Sequence, residues 1–225
     1  MTTSQANLYH LTIREAAGLL KSGQLSPVEL TQAFLDRIAA TDDRLHSYII
    51  VLKEQALDDA RLAEAEIRRG GYKGPLHGIP FALKDLYDTA GVTTTAGSKV
   101  YIDRVPTEDA TTTARLKAAG GILLGKLAMH EFALGGPDFT TPFPPARNPW
   151  NLDHITGGSS SGSGSAVASG QAMAALGQTE NLIFHVQDWE FAATALTVKQ
   201  ALLDDVLKSA AVVLTSHNPY DHELS

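Results

Sequence analysis

The spacing of apolar residues in the N-terminal part of the chain predicts three amphipathic helices. Thr12 and Ser26 each stand three residues before a glutamate, as in a capping box, and each is followed by an apolar stripe with helical spacing. A proline at the first helical position strengthens the second start. The helices are predicted over residues 12–23, 26–41 and 53–69, and we assign them a scaffolding role.

Short apolar runs between turn residues predict strands. One run, Phe81–Leu83, leads into Lys84, and another, Ile122–Leu124, follows a helix predicted over residues 108–119 and a glycine pair. This order of helix, glycine and strand is typical of an α/β fold. We therefore predict a mixed, mostly parallel sheet flanked by helices, with these two runs as neighbours or near neighbours. Other predicted elements are a strand at 47–51, a short helix at 129–134, a strand at 181–186 and a helix at 197–212.

The composition excludes several classes of protein. With 225 residues, 44% of them hydrophobic and 19% charged, the chain can bury a real core. It has no cysteine, which excludes disulfides and thiolate catalysis. No apolar run reaches the length of a membrane span and the start lacks a basic signal-peptide region, so we expect a cytoplasmic protein with no membrane partner. The net charge of −7 argues against direct nucleic-acid binding.

The composition changes abruptly near Gln178. All 19 glycines lie at or before Gly177, and residues 178–225 carry 2 Lys and Arg against 7 Asp and Glu. We therefore predict a boundary there, with residues 1–177 on one side and a different kind of segment, residues 178–225, on the other.

A glycine and serine tract, Gly157–Ser165, is the first candidate for chemistry. Serine hydroxyls can attack a carbonyl or pass protons, and glycines allow close approach of the backbone. The alternative is a flexible linker, although an alanine-rich helical run follows the tract directly. Gly158–Gly162 also matches the G-x-S-x-G nucleophile elbow. That elbow must follow a hydrophobic strand, which residues 151–156 do not predict, so the match carries little weight.

Lys84 is the second candidate. A strand that points a lysine inward desolvates its ammonium group, which lowers the pKa and can create a base at neutral pH. The alternative is a surface lysine paired with Asp85. A partial phosphate-loop match at Gly120–Lys126 is rejected, because Leu127 replaces the serine or threonine that would hold magnesium and the interior of the match predicts a strand.

Several long motifs occur in an order that resembles the amidase signature family. They are LHGIPFALKD at 76–85, TTTAGS at 93–98, the segment from Asp109 to Gly136, NPWNLDHITGGSSSGSGSAVASG at 148–170 and AALG at 174–177. The resemblance covers about residues 10–177. Within the family, the chain looks closest to glutaminase subunits of tRNA-dependent amidotransferases and to stand-alone amidases.

The resemblance implies a fold, a reaction and two site residues. The fold would be the amidase-signature fold up to the Gly/Ser-rich motif. The reaction would be hydrolysis of an amide C–N bond by a Ser–cis-Ser–Lys relay, in which Lys84 matches the base and Ser159 the bridging serine after a cis peptide. The implied partners are a small-molecule amide substrate and amidotransferase-type protein subunits. No cofactor and no metal are expected; His217 and His222 lack further ligands nearby.

The chain departs from the family pattern where the nucleophilic serine belongs. That serine is expected 24 residues after the bridging serine, a position that falls on Ile183, and the surrounding Gly-Gly-Ser motif is absent. The change in glycine use begins in the same place, so we expect a truncated, spliced or frame-altered product that is inactive as an amidase. Two alternatives stay open: a non-catalytic module that binds a partner, and a site in which Ser160, Ser161 or Ser163 replaces the nucleophile.

Overall fold

One six-stranded sheet forms the centre of the molecule. The protein was analysed as a computed structural model, which describes residues 8–137, 139–177, 182–187 and 210–215. The strands of the sheet are β1 (Tyr48–Val51), β2 (Pro80–Lys84), β3 (Ile122–Leu127), β6 (Ala174–Gly177), β7 (Leu182–Gln187) and β8 (Ala210–Thr215), and a separate hairpin pairs β4 (Arg147–Asn148) with β5 (Asn151–Ile155). The strand order in the sheet is β1-β3-β2-β6-β7-β8.

The sheet is mixed, as predicted. Strand β2 lies between β3 and β6 and is parallel to both, and β7 is parallel to β8. The β1–β3 and β6–β7 pairs are antiparallel. The predicted adjacency of Phe81–Leu83 and Ile122–Leu124 is confirmed, because Phe81 pairs with Leu123.

Besides two 3-10 helices at Lys99–Tyr101 and Glu131–Ala133, the described strands are accompanied by five α-helices. They are α1 (Ile13–Ser22), α2 (Pro27–Leu45), α3 (Lys53–Arg68), α4 (Thr111–Ala118) and α5 (Ser161–Ala168). Both predicted capping boxes form: Thr12 and Glu15 bind each other's backbone N–H groups, and Ser26 and Glu29 do the same. Helix α1 ends at Gly23, whose φ of 72° places it in the left-handed region that glycine tolerates.

The core is one apolar cluster between the sheet and its helices. Fully buried members include Leu20 of α1, Phe34 of α2 and Ala60 of α3, which pack with Leu83 of β2 and other sheet residues. Burial of such side chains is the main favourable term in folding. None of the helices in the described part of the chain is long and apolar enough to cross a membrane.

Several predicted boundaries were wrong. Helix α2 runs four residues beyond Thr41, and the helix predicted from residue 108 begins at Thr111. The end of the alanine-rich run, Ala174–Gly177, is a strand rather than helix because it pairs with the buried strand β2. The helix predicted at 197–212 lies outside the described residues except for its last three, which belong to β8.

The backbone of β7 extends the sheet beyond Gly177 by pairing with β6. The division into residues 1–177 and 178–225 stays a prediction.

Candidate active site

Lys84 is held inside the protein at the end of β2. All five residues of this strand are buried, and Lys84 itself is 0% exposed. Its Nζ donates a hydrogen bond of 2.7 Å to the Oγ of Ser159. The predicted proximity of these two groups is therefore confirmed, and the interpretation of Lys84 as a surface lysine paired with Asp85 is wrong.

Burial changes the proton affinity of Lys84. Desolvation of the ammonium group lowers the pKa of Lys84 from 10.5 to about 8. A hydroxyl group is a weaker partner for an ammonium ion than a carboxylate, so the contact with Ser159 does little to offset this loss of hydration. A lysine in this state can exchange its proton near neutral pH.

Ser159 is placed by the segment that follows β3. The peptide between Gly158 and Ser159 is cis, as the resemblance implies. The backbone N–H of His130 donates to the carbonyl oxygen of Ser159 at 3.0 Å. A Cβ atom at Gly158 would lie 2.1 Å from Cε1 of the His130 ring, so only glycine fits there. His130 was missed by the sequence analysis because its role depends on this tertiary contact.

Residues 161–165 of the glycine and serine tract belong to helix α5, and the interpretation of the tract as a flexible linker is wrong. A Cβ atom at Gly162 would lie 2.3 Å from the backbone oxygen of Ser47, so glycine lets the helix approach the sheet closely. Ser163 Oγ donates to the carbonyl oxygen of Leu176 at 3.3 Å, and Ser165 Oγ donates to that of Arg147 at 2.9 Å. These two buried hydroxyls therefore fix the helix in place.

The three serines considered as replacement nucleophiles differ in their surroundings. Ser163 is fully buried and its hydroxyl is already engaged. Ser160 faces Gly177, where an added Cβ would lie 2.7 Å from the serine Oγ. Ser161 lines a cavity of about 20 Å³ together with His130 and Thr156.

Strand β5 corrects one detail of the sequence analysis. Residues 151–155 do form a strand, which the sequence pattern did not predict. All five of its residues are exposed, and it pairs with β4 in a surface hairpin. A nucleophile elbow follows a buried strand of the central sheet, so β5 does not create one.

A second buried lysine lies on the other face of the sheet. Lys126 of β3 pairs in register with Leu83 and is 0% exposed. Because paired residues of neighbouring strands share a face and successive residues alternate, Lys126 and Lys84 point to opposite faces. The Nζ of Lys126 lies 3.2 Å from Oδ1 of Asp85. It also donates to Thr94 Oγ1 at 2.7 Å and to the carbonyl oxygen of Tyr87 at 2.8 Å.

Lys126 was not predicted as a functional residue, although its signal in the sequence is similar to that of Lys84. Each lysine stands at the end of an apolar strand. Only the strand register shows that Asp85, the neighbour of Lys84 in sequence, pairs with the lysine of the next strand.

Ile183, in the register of the expected nucleophile, lies in strand β7, where its backbone pairs with Gly177. The carbonyl oxygen of Gly177 accepts a hydrogen bond of 2.9 Å from the Tyr87 hydroxyl. Within the described ranges no three His, Asp or Glu side chains converge as metal ligands would. His217 and His222 lie outside these ranges.

The known proteins that this chain resembles are amidases and amidotransferase subunits. A family model described as Amidase matches residues 29–179. A glutamyl-tRNA(Gln) amidotransferase subunit from Moorella thermoacetica is 48% identical over 170 residues, which are 76% of this chain and 35% of that protein. The corresponding subunit from Trichlorobacter lovleyi is 49% identical with the same coverage.

Solved structures agree with this result. Native peptide amidase from Stenotrophomonas maltophilia superposes with a TM-score of 0.68 at 36% identity, over 73% of this chain and 35% of that one. The chain thus spans about a third of the length of the relatives that it matches.

Proposed function

The chain belongs to the amidase family, and from that premise we propose that Lys84 and Ser159 form the proton relay of an amide C–N hydrolase. The observation that carries this proposal is the 2.7 Å contact between Ser159 Oγ and the Nζ of Lys84, whose side chain is fully buried. This distance lies within the range over which protons are transferred.

In the proposed relay, unprotonated Lys84 accepts the proton of the Ser159 hydroxyl. Ser159 in turn accepts a proton from the nucleophile that attacks the amide carbonyl carbon. The same path run backwards delivers the proton to the departing amine when the C–N bond breaks, so the relay begins and ends in the same state. The lowered pKa of Lys84 supports this role, since a lysine at its ordinary pKa would be almost fully protonated at pH 7.

We propose further that residues 1–225 do not complete the reaction alone. In the family register the nucleophile position is occupied by Ile183, which has no group that can attack a carbonyl carbon. Loss of a nucleophile typically lowers the rate by several orders of magnitude. The substrate class we assign to the site is a small-molecule amide, of which glutamine and benzamide are convenient representatives.

An ammonia-release assay with these two amides tests the proposed inactivity. The purified chain is compared with a Lys84→Met variant, which keeps the length of the side chain and removes the amine. We expect the two proteins to give equal rates at pH 7 to 9. Turnover clearly above the variant would show that another serine, such as Ser161, acts as the nucleophile.

A titration tests the relay itself. Lysines labelled with ¹³C at Cε are followed by NMR between pH 6 and 12, and the Lys84 signal is assigned by its loss in Lys84→Met. We expect a midpoint near 8. A midpoint near 10.5 would refute the proposed role of Lys84 as a base.

The identity of 48% to an amidotransferase subunit favours a second candidate function. We propose that the chain can also bind a companion subunit of such an enzyme without catalysing a reaction. Co-purification of the tagged chain with separately expressed companion subunits tests this role, and elution of the chain alone in size-exclusion chromatography would refute it.

A further inference from the structure

The Asp85–Lys126 pair is a buried cluster that the proposed relay does not use. Both side chains are 0% exposed, and Asp85 directly follows Lys84, the proposed base of the relay, along the chain. Burying two charges is costly, and a buried ion pair is often no more stable than a well-packed apolar pair. Its presence one residue from Lys84 therefore calls for a reason other than stability.

Asp85 is held at many points. Its Oδ2 accepts hydrogen bonds from the backbone N–H of Thr95, at 2.9 Å, and from the Thr95 hydroxyl. Its own N–H donates to the carbonyl oxygen of Leu127, and its carbonyl oxygen accepts from the N–H of Ala96, both at 3.0 Å. These bonds fix the backbone immediately after Lys84 and aim the carboxylate at Lys126, away from the face that Lys84 occupies.

The surroundings of Lys84 are otherwise poor in charge. Helix α5 and strand β6 carry no ionisable residue. The ionisable groups on the other neighbouring segments are Asp85 and Tyr87 after β2, Lys126 in β3, His130 and Glu131 after β3, and Asp88, whose partner Arg104 lies at 2.6 Å. Burial raises the pKa of the Tyr87 hydroxyl, so this group stays neutral. The nearest anion in sequence, Asp85, is thus already compensated by Lys126 at 3.2 Å.

We propose that Asp85 and Lys126 are positioning residues for the relay: they lock the end of β2 and, as a neutral pair, prevent the Asp85 carboxylate from holding a proton on Lys84. Without Lys126, Asp85 would be an uncompensated buried anion beside the base, and a cation that repels the protonated form of Lys84 would also be lost. Both changes favour the protonated lysine. Removal of Lys126 is therefore expected to raise the pKa of Lys84. Lys84 would then stay protonated at neutral pH and would act less readily as a base.

The inference rests on the proposed role of Lys84, but its test compares the titration midpoint of Lys84 between variants and does not depend on turnover. The ¹³Cε titration of Lys84 is repeated in Lys126→Met, Lys126→Arg and the double variant Asp85→Asn/Lys126→Met. We expect the Lys84 midpoint to rise by about one pH unit in Lys126→Met. It should stay within about 0.3 units of the unmodified chain in Lys126→Arg, which keeps the charge, and in the double variant, which removes both charges.

Unchanged Lys84 midpoints in folded Lys126→Met would overturn the proposal, because a merely structural pair would not affect the titration of Lys84. If Lys126→Met does not fold, Asp85→Asn takes its place: it leaves the Lys126 cation uncompensated, so the Lys84 midpoint should fall, and an unchanged midpoint would overturn the proposal. A shift of a full unit in the double variant, or failure of that charge-neutral variant to fold, would also contradict the charge-balancing role. A wild-type midpoint near 10.5 would instead refute the proposed relay, so the two failures are distinguishable.

Discussion

Replacement of Lys84 by methionine is expected to make the folded chain more stable at neutral pH. The Lys84 side chain is fully buried, and its ammonium group has the Ser159 hydroxyl as its hydrogen-bond partner. Methionine fills nearly the same space without a charge to desolvate. A residue proposed to carry chemistry would thus be one that the fold tolerates at a cost.

The magnitude follows from the pKa of Lys84. A decrease from 10.5 to about 8 corresponds to roughly 3 kcal/mol of unfolding free energy, because each pKa unit is worth about 1.4 kcal/mol. Loss of the hydrogen bond to Ser159 reduces this gain in unfolding free energy by about 1 kcal/mol. We therefore expect Lys84→Met to be more stable than the unmodified chain by about 2 kcal/mol at pH 7.

Because burial penalises Lys84 only while it is protonated, the stability difference between the unmodified chain and Lys84→Met depends on pH. Between pH 8 and 10.5 the unfolded chain holds a proton on Lys84 that the folded chain has released. The stability of the unmodified chain consequently rises with pH through this window, relative to a variant that lacks the amine. The advantage of Lys84→Met should be full below pH 8 and should have disappeared above about pH 10.5.

Urea unfolding of both proteins at pH 7, 9 and 10.5 measures this difference, and groups that titrate in both proteins cancel. Lys126→Met is the matched control: this lysine is equally buried but has a carboxylate partner at 3.2 Å, so its loss should destabilise the fold by about 3–5 kcal/mol. Lower stability of Lys84→Met at pH 7, or a difference that does not shrink with pH, would refute the reasoning.

Two further predictions concern the scaffold. Burial lowers the pKa of His77, whose Nδ1 accepts a 3.1 Å hydrogen bond from the backbone N–H of Lys73. The stability of the fold should therefore fall as the pH drops below about 6.5, where the unfolded chain binds a proton on His77 more readily than the folded chain does. Urea unfolding at pH 7 and 5 measures this loss of stability, which should be smaller in His77→Gln. Gly162→Ala should lower the melting temperature by an amount equivalent to more than about 2 kcal/mol, because its Cβ would meet a backbone oxygen at 2.3 Å. Gly164→Ala, in the same helix with its nearest atom at 3.8 Å, should be neutral or slightly stabilising, and equal effects of the two substitutions would contradict this account.

Features determined by neighbouring residues could be predicted from the sequence. The capping boxes at Thr12 and Ser26 form as expected, because both partners of each hydrogen bond lie within one helical turn. The proximity of Lys84 and Ser159 could also be predicted, although they are far apart along the chain, because the two motifs that carry them occur together in a known family.

Features determined by tertiary contacts could not be predicted in this way. Helix α2 continues to Leu45 and ends at His46, a non-glycine residue with φ 52°, so no glycine marks the end. The pairing of Asp85 with Lys126 depends on the register between β2 and β3, which local periodicity does not specify. Adjacency along the chain suggested instead that Asp85 would neutralise Lys84.

Assembly of the proposed proton relay and possession of a nucleophile are separate physical requirements. Lys84 is placed by strand β2, and Ser159 is placed by the glycine before it and by the backbone of His130. In the register where the nucleophile is expected the chain has Ile183, whose backbone pairs with Gly177. A titration midpoint near 8 together with no release of ammonia would therefore be a consistent pair of results: Lys84 could exchange its proton, and Ile183 has no hydroxyl that could attack a carbonyl carbon.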